Sequence, residues 1–98
     1  MTTKKTTQPR LEAKLAVSRA RNGFGWSRGA ATVGTRTYRV EIKWFDEPSQ
    51  FGIKNGRVSK LWVSDDEGPV INYDRGWDTR PATAEAKAIL KAVLKEFN

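Results

Sequence analysis

From residue 37 to residue 44 the chain alternates strictly between polar and apolar side chains. Thr37, Arg39, Glu41 and Lys43 are interleaved with Tyr38, Val40, Ile42 and Trp44. Successive side chains of a strand project to opposite faces, so this run demands a half-buried β-strand with its aromatic and β-branched residues in a core. A signal of a different period closes the chain. Ala86, Ile89, Leu90, Val93 and Phe97 recur at helical spacings, while Lys87, Lys91 and Lys95 lie one turn apart on another face. A helix over residues 83–97 would bury that apolar stripe against the apolar face of the sheet.

Turn chemistry divides the remainder. Residues 26–33 form the strand before the alternating run, joined to it by Gly34-Thr35, with Gly29 as its weak point. Asp46-Glu47-Pro48-Ser49 breaks the pattern, and Lys54-Asn55-Gly56 separates residues 51–53 from residues 57–63 as a hairpin turn, because Asn-Gly tolerates positive φ. Asp65-Asp66-Glu67-Gly68 makes another turn before a short strand at 70–73. The expected class is α+β: an antiparallel meander of about four strands with a C-terminal helix packed on one face. Before it, Pro9, the Ala-, Leu-, Lys- and Arg-rich residues 11–20 and the stop Asn22-Gly23 predict an N-terminal basic helix, preceded by a polar tail. Two parts are expected: a basic tail and helix at 1–22 and a single α+β domain at 23–98, a modest core being all that 98 residues allow.

The chain contains neither Cys nor His. Disulfides, thiolate metal sites and histidine-based acid–base chemistry are therefore impossible, and no glycine-rich phosphate loop is present. The acidic tip at 65–67 and the Asp74/Asp78 pair offer too few oxygens for a hard-cation site. A non-enzymatic protein without metal or cofactor is expected. No apolar run approaches the roughly 18 residues a spanning helix needs, and the first ten residues carry no apolar stretch of the kind a secretory signal requires. A cytoplasmic protein with no membrane association is expected.

Charge is distributed unevenly. Residues 1–40 hold nine basic residues against Glu12, a balance of +8, whereas residues 41–98 hold nine basic against ten acidic, a balance of −1. Such polarity is the electrostatic footprint of a polyanion ligand. Lys4, Lys5, Arg10, Lys14, Arg19 and Arg21 form a basic arm, either a phosphate-neutralising device or a solvated face, and Arg28, Arg36 and Arg39 extend it. Trp26, set among glycines and Arg28, suits either base stacking or packing at a strand entrance. Arg75 and Trp77 lie in the word Asp74-Arg75-Gly76-Trp77-Asp78, which reads either as a local structural corner or as a partner surface.

Two longer words, Phe51-Gly52-Ile53-Lys54-Asn55-Gly56-Arg57-Val58-Ser59-Lys60-Leu61 and Tyr73-Asp74-Arg75-Gly76-Trp77-Asp78, together with Trp26, Gly29 and Tyr38, resemble small uncharacterised domains of bacteria, phages and other mobile elements. The likeness spans about residues 26–97 and implies a phage or mobile-element context without an assigned activity. The predicted order of helix, strands and helix is also similar in topology to double-stranded-RNA-binding domains, although the lysines here run along the last helix. The expected function is a non-enzymatic phage or mobile-element protein that engages nucleic acid or a nucleoprotein through its basic N-terminal half. The alternative is an anti-defence inhibitor of the anti-CRISPR type that binds a host effector protein.

Overall fold

A computed structural model describes residues 11–18 and 26–98. Its elements are β1 (Ala13–Ser18), β2 (Ser27–Val33), β3 (Arg36–Trp44), β4 (Val58–Asp65), β5 (Gly68–Asp74), β6 (Trp77–Thr79) and α1 (Ala84–Phe97). The strands form one antiparallel sheet in sequence order, and each pairs with the next. The α+β class stands, with six strands where about four were expected. None of the helices in the described residues is long and apolar enough to cross a membrane.

The alternating run sets the register. Val40 lies opposite Gly29 on one side and Val63 on the other, and Ile42 opposite Ser27 and Leu61, so one face of the sheet collects the apolar residues. Ala31, Val33, Tyr38, Val40, Ile42, Leu61, Val63, Ile71 and Tyr73 are buried there, under Ala86, Ile89, Val93 and Phe97 of α1. Leu90 and Trp44 are half-buried, because each sits at the margin of this contact. The Trp44 ring packs at 6.0 Å from that of Phe97 and its indole N–H donates to the Ser27 hydroxyl at 3.3 Å. The helix starts where its cap permits: the Thr83 hydroxyl accepts from the Ala86 N–H at 3.0 Å.

Three expectations are corrected. Residues 13–18 form a strand, whereas a helix was expected over 11–20. Ala13, Leu15 and Val17 are half-buried while Lys14, Ala16 and Ser18 are exposed, and six residue pairs join the strand to β2. Helix propensity amounts to tenths of a kcal/mol per residue, and the backbone pairing and burial outweigh it. The helix-strands-helix order similar to double-stranded-RNA-binding domains is therefore not formed by the described residues. Second, Asn55-Gly56 does not close a two-stranded hairpin and residues 51–53 are not a strand. Lys54 and Asn55 take φ values of 54° and 58° within a short 3-10 turn inside the long β3–β4 connection, which is tied back by Ser49 N–H to the Gly56 carbonyl at 3.1 Å. Third, β6 was not anticipated. Its Trp77 meets Tyr73 edge-on at 5.0 Å, and the turn before it places Arg75 at φ 58°.

Candidate nucleic-acid interface

The face of the sheet opposite α1 is built from the other half of each alternation. Lys14 and Ser18 come from β1, Arg28 and Thr32 from β2, Arg39, Glu41 and Lys43 from β3, Lys60 and Trp62 from β4, and Asn72 and Asp74 from β5. Among the described residues no element lies over this face. Cross-strand register arranges it in rows. Ser18, Arg28, Glu41, Trp62 and Asn72 form one, and Lys43, Lys60 and Asp74 another. Five cations (Lys14, Arg28, Arg39, Lys43 and Lys60) share the face with two carboxylates, Glu41 and Asp74, so its described part carries net +3.

Within this face a small depression of about 230 Å³ is lined by Trp26, Glu41, Lys60, Trp62, Asn72 and Asp74. Trp26 keeps 37% of its surface exposed, and the Lys60 ammonium stands 6.0 Å from its ring centroid. Lys60 also pairs with Asp74 at 3.5 Å, but both side chains are well solvated, and an ion pair of that kind contributes little to stability. Aromatic surface, neighbouring cations and a few hydrogen-bonding groups are the chemical requirements for holding an anionic strand with exposed bases; the depression supplies the first and third, and the cations other than Lys60 lie around it on the face.

A larger, open groove of about 860 Å³ lies at the hairpin end of the sheet. Arg36 and Arg39 line it together with Asp65, Asp66 and Glu67 of the β4–β5 turn, so its lining carries charges of both signs. Arg36 shares the strand parity of Tyr38 and so belongs to the helix side. Its guanidinium is held above its ordinary value by the Tyr38 hydroxyl first, with help from Glu85 and Asp65. No group of three or more metal-ligating side chains occurs among the described residues.

Of the residues singled out from sequence, Lys14, Trp26, Arg28 and Arg39 come together on the open face, and Arg36 does not. Lys4, Lys5, Arg10, Arg19 and Arg21 lie outside the described residues. Arg75 and Trp77 form a corner away from the face: the Arg75 N–H donates to the Ser59 carbonyl at 3.0 Å, and Trp77 meets Tyr73 edge-on and has the Arg80 guanidinium 5.3 Å from its ring centroid. Lys43, Lys60, Trp62 and Asn72 were missed. Their signal was the parity of the strands, since Lys60 and Trp62 alternate with the buried Leu61 and Val63.

The described residues thus define a small α+β module whose meander sheet is covered by a helix on one side and is open and cationic on the other. Residues 25–98 match the family model of a domain of unknown function, DUF7678, and the chain belongs to that family. The strand β1 precedes the matched span and adds to the sheet. No curated protein and no solved structure matches the chain.

Proposed function

We propose that this protein is a non-enzymatic nucleic-acid-binding module that engages its ligand across the open face of the sheet. The supporting observation is the placement of Lys43 directly opposite Lys60 on neighbouring strands. Like charges at cross-strand positions are destabilising by roughly 0.2–1 kcal/mol, and Asp74, 3.5 Å from Lys60, offsets one of the two in a pair that water screens. A phosphate seated between the two ammonium groups relieves that repulsion. Arg28, Arg39 and Lys14 continue the positive path over β3, β2 and β1. The basic N-terminal half therefore contributes three of the five cations and β3–β4 the others.

Fluorescence anisotropy with a labelled single-stranded oligonucleotide, titrated over a range of salt concentrations, tests the proposal. Each phosphate neutralised contributes about −0.7 to the slope of log K against log salt on a single strand, so several contacts give a steep line. A flat line removes the proposal.

A further inference from the structure

We infer that the depression between Trp26 and Trp62 is a base-capture slot, which makes the ligand an unpaired strand; this rests on the proposed nucleic-acid reading. The argument starts from the tryptophans. Trp62 sits half-buried in the middle of the open face between Glu41 and Asn72, and Trp26 presents more than a third of its surface to water beside it. Aromatic surface that the fold leaves in water at Trp26, and covers only in part at Trp62, is favourable for a ligand that covers both.

The polar groups of the slot select what enters it. Lys60 lines it together with Glu41 and Asp74 and pairs with Asp74 at 3.5 Å, so the lining carries net −1 and disfavours a phosphate in its interior, whereas Lys43, next to Lys60 across β3 and β4, stands outside the lining and holds a phosphate at the rim. A strand therefore binds with its backbone along the lysine row and a base turned into the slot. The Asn72 amide offers one donor and one acceptor edge, and the Glu41 carboxylate accepts from ring or exocyclic N–H groups. Neither the Asn72 amide nor the Trp62 indole N–H has a hydrogen-bond partner among the described residues, so both are available to a base edge or its sugar. A base inside a duplex is stacked on both sides and cannot reach the slot.

The test compares three probes at one salt concentration: a short single-stranded DNA, an abasic strand of equal length and charge, and the corresponding duplex. Stacking contributes enough per base that the base-bearing strand should bind about five- to 150-fold more tightly than the abasic one. Intrinsic tryptophan fluorescence should be quenched by the first probe and not by the second. Trp62→Leu should bring the base-bearing strand down to the abasic affinity without changing the abasic affinity itself, and Trp62→Phe should restore part of the difference. Trp26→Leu, at the more exposed wall, provides a second variant should Trp62→Leu unfold by circular dichroism. Equal binding of base-bearing and abasic strands, or a preference that survives in a folded wall variant, overturns the slot and leaves the cationic face intact. Failure of all three probes to bind overturns the face as well.

Discussion

Asn98 ties the long connection between β3 and β4 to the end of α1. Its side-chain oxygen accepts from the Arg57 N–H at 2.8 Å and the Val58 N–H at 3.1 Å, and its amide donates to the Ile53 carbonyl at 3.1 Å. The Arg57 guanidinium adds a bond to the Phe97 carbonyl at 3.2 Å and lies 5.5 Å from the Trp44 ring centroid. Removing the Asn98 amide strands two backbone donors in a partly buried site, so Asn98→Ala should lower unfolding free energy by about 1–3 kcal/mol in urea titrations, and Asn98→Asp, which keeps the acceptors, by less. Ile42 and Trp44 separate full from partial burial. Ile42→Ala opens a cavity in the closed core and should cost about 2–5 kcal/mol, whereas Trp44→Ala should fall below the roughly 3–5 kcal/mol of a fully enclosed aromatic, because solvent already reaches the indole. At this scale the burial of Tyr38, Val40 and Ile42 was legible, since it follows directly from alternation, whereas Trp44, expected in the core with them, is only half-buried because it stands at the end of the strand. The exposed half carried the same information, yet Lys60 and Trp62 were passed over because a charge or a lone aromatic on a strand has no meaning until its cross-strand neighbours are known.

The elements divide according to where their stability originates. The helix α1 was legible because its stripe, its Thr83 cap and its length agree, and β3 because its period admits no alternative. The strand β1 was not. Ala13, Leu15 and Val17 do alternate with Lys14, Ala16 and Ser18, but the first four of these six residues in the chain, Ala13 to Ala16, are good helix formers, and only the presence of β2 decides between the two periods. A close backbone approach fixes that pairing. A Cβ at Gly29 would overlap the Ala16 carbonyl oxygen, so the residue that weakens β2 by composition is the one that admits β1. Gly29→Ala should displace β1: hydrogen exchange at its amides should accelerate toward the unprotected rate while the β3–β4 amides stay protected. Deleting residues 1–18 should cost on the order of 2 kcal/mol, the value of half-burying Leu15 and Val17, and should leave a folded β2–β6 sheet by circular dichroism. The turn at Lys54-Asn55-Gly56 was recognised as a turn but assigned the wrong partners, because positive φ is a local property and the strands that a turn joins are not.

For the molecule as a whole, the charge imbalance visible in the sequence is resolved in space. The sequence divides at residue 40 into a basic part and a nearly neutral part, whereas the folded sheet divides into a helix side and an open side, and Lys43 and Lys60 join the basic residues only on folding. The helix carries its own cations, Lys87, Lys91 and Lys95, on the far side of the sheet, and this supplies a control of equal charge. Net charge alone raises polyanion affinity wherever the cations sit, while a binding face requires them in one place. The decisive measurement is the salt dependence of single-stranded oligonucleotide affinity for three proteins: the native chain, Lys43→Ala/Lys60→Ala and Lys87→Ala/Lys91→Ala. Binding through the open face requires the first variant to bind more weakly and to lose about 1.4 from the magnitude of its slope, two phosphate contacts at about 0.7 each, with the helix variant close to the native line. Equal losses in the two variants would contradict it, because the affinity would then follow net charge and not the face of the sheet.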